Sequence, residues 1–263
     1  MKSPAWAWPP FPEAEALAPL RLLRGKRVVL ASGSPRRRDI LLRAGVRFDV
    51  VPAHFREDLA KASFPAPPAY AVETARRKAL EVAARLRADP RPPEVVIGAD
   101  TVVALDAQIL EKPRDAADAL RMLRSLSGRQ HSVITGVAVV RPTGAGNPGT
   151  ERPEAEANPE AEAEVNPDAE VNREVHPEVD AEVTLFHEEA RVTFLPLSEA
   201  QLRDYVATGE PLDKAGAYGL QGGAAAFAER VEGDALAAVG FPLRRFCREL
   251  AAIFPEATAP PPQ

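Results

Sequence analysis

The chain contains a single cysteine, Cys247, among its 263 residues, and this scarcity excludes an internal disulfide. A lone cysteine is typical of a protein from a reducing compartment. It also argues against a zinc site, which commonly uses several cysteine and histidine ligands. The histidines show no metal-ligand spacing and are assigned no role: they are His54, His131, His176 and His187.

Long apolar runs are missing as well. No run approaches the roughly 18 residues that a membrane-spanning helix needs. The first residues, MKSPAWAWPPFPEAEALAPL, are interrupted by prolines and by Glu13 and Glu15, which is atypical of a signal peptide. We therefore expect a soluble cytoplasmic protein with no membrane partner.

A large basic excess is also absent. The net charge is −5, but residues 151–182 hold twelve acidic and two basic residues, a balance of −10. The rest of the chain therefore carries +5. This charge suits a local pocket for an anion and is too small to indicate a broad nucleic-acid surface, so we expect no nucleic-acid partner.

Three segments differ in composition from the rest of the chain. Residues 1–24 are interpreted as a loose N-terminal extension and residues 255–263 as a C-terminal tail. Residues 142–182 repeat Pro, Glu, Ala, Val and Asn with few large apolar side chains, which is typical of a disordered acidic insertion. An acidic interaction segment is the alternative. Residues 25–254 are interpreted as one domain that tolerates the insertion, because long loops close at small extra cost.

Strands alternate with helices within this domain, which is typical of an α/β fold. Strands are predicted at 26–32, 48–51, 94–106 (one long strand or a pair), 131–141 and 183–197. Helices are predicted from Pro35 to about Gly45, over 69–87, from Asp115 to Gly128, after the capping box of Ser198 and Gln201, and over 242–254.

The turn ASGSPRRRD, residues 31–39, is the first candidate site. Ser34 suits the N-cap of the following helix. Arginines in the first helical turn oppose the helix dipole, at about 0.3–1 kcal/mol each, unless an anion binds there. Backbone N–H groups, the Ser32 hydroxyl and the guanidinium groups of Arg36 and Arg37 together suit a phosphate group. A solvated basic helix start is the alternative.

The second candidate is Asp100, inside the apolar stretch VVIGADTVVAL. A carboxylate in such a strand is unfavourable unless it is paired or bound to a metal. Gly98 permits another backbone to approach closely. An acid in this position suits the activation of water or the binding of a divalent cation. An aspartate that ends a strand and bonds to a turn is the alternative.

The glycine-rich stretch EPLDKAGAYGLQGGAAAF, residues 210–227, is the third candidate. Its glycines suggest a backbone that comes close to another group. Tyr218 suits stacking on a flat heterocycle, and the amide of Gln221 offers the donor and acceptor that a nucleobase edge requires. A flexible surface loop is the alternative. Together the three candidates indicate a nucleotide phosphohydrolase.

Five motifs occur in order along the chain: LASGSPRR, GADTVV, LEKPRDAADALRMLRSLSG, EPLDKAGAYGLQG and VGFPL. With them the sequence resembles the Maf family of nucleoside triphosphate pyrophosphatases over residues 26–254, apart from the insertion. The variant GSPRR, GADT and DKAGAYGLQG resembles the subgroup that acts on dTTP and UTP. The resemblance implies an elongated α/β fold similar to that of Maf and ITPase proteins, with a mixed sheet flanked by helices and two lobes around a central cleft.

The resemblance also implies an activity. The expected reaction releases pyrophosphate and a nucleoside monophosphate, requires Mg²⁺ or Mn²⁺, and serves to remove modified nucleotides; a homodimer is a further implication. The same reaction on 7-methyl-GTP or another modified base is one alternative. A non-catalytic regulator of cell division that acts through partners is the other.

Individual roles follow from the family's motifs. The resemblance makes Asp100 the proton acceptor and, with Glu57, a metal ligand. The remaining implied positions bind the substrate or set its specificity: Arg36, Thr101 and Gln221 for specificity, Arg37, Lys78 and Lys112 for the triphosphate, and Ser32 in the turn of residues 31–39, called the phosphate turn below. Lys78, Lys112 and Glu57 carry no strong signal of their own, since most single charged residues are solvated.

Overall fold

The computed structural model describes residues 9–143, 170–172, 175–176 and 179–254. The helices are α1 Ala14–Leu17, continued by a 3-10 segment Ala18–Leu23, α2 Pro35–Arg43, α3 Pro67–Arg85, α4 Ala116–Leu126, α5 Glu199–Ala207, α6 Ala235–Val239 and α7 Leu243–Ile253. The strands are β1 Val28–Leu30, β2 Asp49–Val50, β3 Val95–Leu105, β4 Gln108–Leu110, β5 Gln130–Pro142, β6 Glu170–Asn172, β7 Val175–His176, β8 Val179–Phe194 and β9 Ala228–Gly233. No helix in these ranges is both long and apolar enough to cross a membrane.

The sheet is mixed and confirms the predicted α/β class. Its strand order is β2-β1-β3-β5-β8-β6, with β4 paired to β3 and β9 paired to β8. The short β1 is parallel to both β2 and β3. The long strand β5 lies between β3 and β8 and is antiparallel to both. Helices flank this sheet, as predicted.

Local sequence signals fix several helix ends. The Asp115 carboxylate accepts a hydrogen bond from the backbone N–H of Asp118 at 2.8 Å and caps α4. The capping box of Ser198 and Gln201 is present at the start of α5. Gly45 follows α2 with a φ of +82°, a conformation that favours glycine. These predictions are confirmed.

Two apolar cores follow one another along the same face of β3. Ile97 and Ala99 belong to the first core, which also contains side chains of α2, α6 and α7. Val103 and Leu105 belong to the second core, with side chains of α4, α5 and the segment 217–227. Each core forms one lobe. Asp100 and Thr101 therefore lie on β3 where one lobe gives way to the other, in agreement with the predicted two-lobed fold.

The other strands leave this part of β3 open. The strand β1 pairs with residues 95–97 of β3, and β4 pairs with residues 103–105 on the same side. Among the described residues no strand fills the interval 98–102. The sequence places a cleft here because β1 ends at Leu30 and the chain turns into α2.

Helix α3 crosses the opposite face of the sheet in close contact with it. A Cβ at Gly98 would lie 2.2 Å from the carbonyl oxygen of Ala75, and one at Gly136 would lie 2.5 Å from the backbone of Ala71. Glycine at both strand positions therefore lets the helix backbone rest on the sheet. This contact brings Lys78 of α3 to Asp100.

The N-terminal segment differs from the prediction. Residues 14–23 were expected in a loose extension, yet they form α1 and the 3-10 segment and contact α7. Leu22 and Leu23 are buried in the first core. The segment packs against the domain because burial of its leucines is favourable, whereas the prediction relied on the prolines and alanines around them. Residues 1–8 lie outside the described residues.

The boundaries of the predicted insertion also change. The strand β5 continues to Pro142, β8 already begins at Val179, and β6 and β7 both pair with β8. Parts of 142–182 therefore form strands and are not disordered as predicted. The prediction of disorder relied on the scarcity of large apolar side chains. Backbone hydrogen bonds to a neighbouring strand do not require such side chains. The rest of that interval, and the predicted tail 255–263, lie outside the described residues.

Candidate active site

The cleft between the two lobes has a volume of about 410 Å³. All nine side chains singled out from the sequence line it: Ser32, Arg36, Arg37, Glu57, Lys78, Asp100, Thr101, Lys112 and Gln221. The turn before α2, the strand β3 and the segment 213–221 thus meet at one place. Their grouping in a single cleft is a finding, whereas their individual roles stay predictions.

Asp100 lies at the floor of the cleft and is paired with a lysine. Its Oδ1 accepts a hydrogen bond from Lys78 Nζ at 2.7 Å, and both side chains are about nine-tenths buried. The same Nζ lies 2.9 Å from Glu57 Oε1. Burial raises the pKa of Asp100, although Lys78 and Arg37 act in the opposite direction. A paired, buried carboxylate with a raised pKa suits proton transfer.

Glu57 responds in the opposite way to the same lysine. Burial alone would raise its pKa, but the positive charges of Lys78, Lys112 and Arg37 lower the pKa of Glu57 below its usual value. Glu57 therefore stays ionised while its neighbour Asp100 holds a proton more readily. Two acids of different proton affinity thus share one ammonium group.

The start of α2 keeps its backbone donors free of side-chain caps. Ser34 occupies the N-cap position, as predicted, but its side chain makes no capping hydrogen bond. The Ser34 backbone N–H instead donates to Ser32 Oγ at 3.3 Å. The residues of the first turn line the cleft, where a helix N-terminus and its dipole favour an anion. Arg36 adds its charge there and lies 3.9 Å from Asp213 on the opposite lobe.

Arg37 is buried and bonded to three different segments of the protein. Its Nη1 donates to Ser32 Oγ at 2.9 Å, its Nη2 to Thr101 Oγ1 at 2.9 Å, and its Nε to the Gly240 carbonyl at 3.0 Å. The guanidinium thus joins the phosphate turn, β3 and the end of α6. Arg37 organises the wall of the cleft, and each of its three nitrogens already has a protein acceptor.

Thr101 is held from two sides. Its hydroxyl accepts from Arg37 and lies 2.9 Å from the Thr135 hydroxyl. Thr135 in turn donates to the Ala237 carbonyl at 2.8 Å. The chain of bonds fixes the orientation of Thr101 at the cleft surface, which suits a residue that discriminates between ligands.

Gln221 lines the cleft and carries an unsatisfied donor. Its Nε2 is buried and has no hydrogen-bond partner among the described residues. Unpartnered buried amides are rare in proteins, and a ligand oxygen would satisfy this one. The ring of Tyr218 lines the same wall, while its hydroxyl turns away to His131 Nε2 at 2.7 Å.

The glycine-rich segment is packed rather than loose at this wall. Gly216 has a φ of +65°, and a Cβ there would lie 2.7 Å from Val103. The close approach to β3 needs glycine and ties the segment to the sheet. This packing contradicts the alternative of a flexible surface loop.

Sequence reasoning missed several charged groups of the cleft. Glu111 lines it and bonds to the Tyr70 hydroxyl and Lys61. Lys214 also lines it and bonds to Asp213 Oδ1 at 2.6 Å. Both Glu111 and Lys214 stand inside motifs quoted above, LEKP and DKAG. Their position in those motifs was the available signal.

The comparisons with known proteins agree with this geometry. The family model described as Maf-like protein matches residues 27–253, which is most of the chain. The chain belongs to the Maf family.

Named relatives resemble this Maf protein over most of its length. It is 48% identical over 230 residues to the "Probable bifunctional dTTP/UTP pyrophosphatase/methyltransferase protein" of Homo sapiens. This alignment covers 87% of this chain and 32% of the human protein. The chain thus spans about a third of that relative. It is 39% identical to the dTTP/UTP pyrophosphatases of Geobacillus sp. (strain WCH70) and Koribacter versatilis (strain Ellin345), over 226 and 229 residues. These alignments cover 86% and 87% of this chain and 97% and 95% of the bacterial proteins.

The donors in the cleft of this Maf protein suit a hard cation held jointly with a substrate. Asp100 Oδ1 and Glu57 Oε1 lie 2.7 and 2.9 Å from the same Lys78 Nζ, so the two carboxylates are close together in the cleft. Within the described ranges no group of three or more His, Cys, Asp or Glu gathers into a complete metal centre. Mg²⁺ commonly binds through one or two carboxylates together with substrate phosphates, so the residues present fit such an ion.

Proposed function

We propose that this Maf protein is a nucleoside triphosphate pyrophosphatase that hydrolyses dTTP and UTP to the monophosphate and pyrophosphate. The observation that carries the proposal is the meeting of three features in one cleft. These are the buried Asp100, the uncapped N-terminus of α2 and the unpartnered amide of Gln221. The named activity of the bacterial relatives, which match nearly their whole length, supports it.

The triphosphate is proposed to lie against α2. The free backbone N–H groups of its first turn, the helix dipole and the Arg36 guanidinium all favour anionic oxygens. Lys112 lines the same cleft and forms no ion pair with any described residue, so its charge is available. Preorganised charges of this kind stabilise the charge that develops on the transferred phosphate.

The base is proposed to meet Gln221. An amide that donates from Nε2 and accepts at Oε1 matches the O4 carbonyl and N3–H of thymine or uracil. Cytosine presents an amino group and a bare N3 at the same edge, so an amide held in this orientation would make neither hydrogen bond with it. This complementarity supports dTTP and UTP, because a site built to hydrogen-bond a group discriminates strongly against its absence.

Asp100 is proposed to accept the proton of the attacking water. Lys78 occupies Oδ1, and Oδ2 has no partner among the described residues. The water oxygen forms a bond to the α-phosphorus, its proton passes to Asp100, and the bond between the α-phosphorus and the bridging oxygen breaks. The electron pair of that bond leaves with pyrophosphate, whose charge the cationic groups of the cleft stabilise.

A divalent cation, Mg²⁺ or Mn²⁺, is proposed as the cofactor. Asp100 and Glu57 would hold it together with phosphate oxygens of the substrate, and the lowered pKa of Glu57 supports this assignment. When bound, such an ion neutralises phosphate charge and polarises the reacting phosphoryl group.

The proposed setting follows from chemistry and from the family. We place the enzyme in the cytoplasm, which its single, unpaired Cys247 supports. Removal of modified nucleotides is the proposed purpose, and a homodimer is the proposed assembly.

The decisive experiment measures hydrolysis of dTTP, UTP, CTP, GTP and 7-methyl-GTP with Mg²⁺ or Mn²⁺, in water enriched in ¹⁸O. We expect turnover of dTTP and UTP, with the label in the monophosphate because water attacks the α-phosphorus. Label in the pyrophosphate would overturn the mechanism. Preference for 7-methyl-GTP would overturn the substrate, and no turnover of any nucleotide would favour the non-catalytic regulator.

A further inference from the structure

We propose that Tyr205 and Glu210 form a side-chain clamp that positions Gln221 and thereby sets base specificity. The clamp is the pair of these two side chains, and neither is a predicted site residue. The inference rests on the proposed function, since it concerns how the same cleft selects its nucleotide.

The first arm of the clamp is the Tyr205 hydroxyl, which projects from α5. It donates to Glu210 Oε1 at 2.9 Å and accepts the backbone N–H of Gly219 at 3.2 Å. The ring is buried and meets Phe227 edge to face with centroids 5.1 Å apart. Burial and the neighbouring Glu210 raise the pKa of Tyr205, so its hydroxyl remains a donor.

The second arm is the other oxygen of Glu210. Its Oε2 accepts the backbone N–H of Gly223 at 3.0 Å. A Cβ at Gly222 would lie 1.9 Å from Glu210 Oε1, so the carboxylate occupies space that only glycine leaves free. The glycines of this turn therefore serve to admit the clamp.

The two arms hold the chain on both sides of Gln221. Gly219 lies two residues before Gln221 and Gly223 two residues after it. The backbone N–H of Gly219 donates to Tyr205, and that of Gly223 donates to Glu210. The Gln221 Nε2 itself has no protein partner, so no side-chain bond from that nitrogen fixes its direction. Its placement depends on the backbone that the clamp holds.

The test compares kcat/KM for dTTP and CTP in wild type, Tyr205→Phe, Gln221→Ala and the double variant. Tyr205→Phe keeps the ring packing and removes one hydrogen-bonding group, so we expect the dTTP preference to fall about three- to tenfold. In the Gln221→Ala background the same change should leave the remaining preference unaltered, because the clamp acts through Gln221. Glu210→Gln keeps the size of the side chain and should lower the dTTP preference as Tyr205→Phe does. It replaces Tyr205→Phe in the test if the tyrosine variant does not fold.

Ser127→Ala is the matched control. Its hydroxyl also accepts a loop N–H, that of Leu197 at 2.8 Å, in the same lobe but away from the turn. We expect it to lower the melting temperature without changing the preference. This inference would be overturned if both clamp variants kept the wild-type preference. It would also be overturned if Tyr205→Phe lowered the preference by the same factor in the Gln221→Ala background as in the wild-type background. Failure of the wild type to hydrolyse dTTP would instead overturn the proposed function.

Discussion

Two acids of the cleft share the ammonium group of Lys78 but differ in how firmly they hold a proton. Asp100 lies deep on β3, where burial raises its pKa, whereas Glu57 is partly exposed and its pKa is lowered by the surrounding cations. Environments that separate the pKa values of neighbouring acids commonly separate their roles. Of the two proposed metal ligands, Glu57 is therefore the one that stays ionised most readily, and Asp100 is the one that also suits the role of base.

Asp100→Asn tests the assignment of the base. The amide keeps the shape of the carboxylate but accepts no proton, so we expect kcat to fall about 10²- to 10⁴-fold. Binding of a non-hydrolysable dTTP analogue should persist, because the α2 and Gln221 contacts lie elsewhere in the cleft and Glu57 remains as a ligand of the proposed cation. Single-turnover hydrolysis and calorimetric binding measure the two effects.

Asp106→Asn is its matched control, since this exposed residue pairs with Arg129 outside the cleft. It should turn over dTTP at the wild-type rate. Wild-type turnover by Asp100→Asn would remove Asp100 from the mechanism.

Lys78→Gln tests the electrostatic coupling through the pH profile. A general base works only when deprotonated, so kcat/KM falls as the pH drops through the raised pKa of Asp100. Lys78 opposes that rise, and its removal should raise the pKa further. The acid limb of kcat/KM against pH is therefore expected at higher pH than in wild type. Lys26→Gln, which removes an ion pair with Glu94 and a contact with the Phe254 ring outside the cleft, should leave the limb in place. A limb that moves to lower pH in Lys78→Gln would contradict the coupling.

The residue types of the site were readable from the sequence, but their partners were not. A buried acid in an apolar strand and arginines at a helix start are local signals. The commitment of Arg37 to Gly240, Thr101 and Ser32 depends on segments that only the fold brings together. The missing cap at Ser34 likewise became visible only in the structure.

At the level of elements, prediction succeeded where the signal lay within the element itself. Helices α4 and α5 carry their own caps, and the long strands carry continuous apolar character. The N-terminal segment has no side-chain cap and gains its structure from α7, at the other end of the chain. A local pattern cannot reveal such a partner, and for this reason the segment was predicted to be loose.

Deletion of residues 1–24 tests the contribution of that segment. It removes Leu22 and Leu23 from the first core and should lower the free energy of unfolding by about 3–6 kcal/mol. Urea denaturation measures the loss. Deletion of residues 1–8 alone spares every contact described for the segment and should have little effect. Equal stability of the long deletion and the wild type would contradict the observed packing.

At the level of the whole molecule, the end of the sheet where the acidic repeat joins the described residues is remote from the cleft. Asp100 pairs with Gly136 on β5, and β5 continues to Pro142 at the far end of its ladder with β8. Six residues of strand span about 20 Å at 3.3 Å per residue. The repeat therefore joins the domain far from the proposed chemistry, although in the sequence it lies between the two neighbouring strands β5 and β8.

Deletion of residues 145–168 follows from this arrangement. The described strands on either side remain intact, and the entropy of closing the loop depends only weakly on its length, so kcat/KM for dTTP should stay within about twofold of wild type. Deletion of 142–182 instead removes paired residues of β8, among them Glu182 opposite Arg141, and should destabilise the domain. Hydrolysis assays and thermal melts of the two variants distinguish the effects. Loss of turnover in the shorter deletion with an unchanged melting temperature would mean that the repeat takes part in the reaction, against the separation inferred from the sheet.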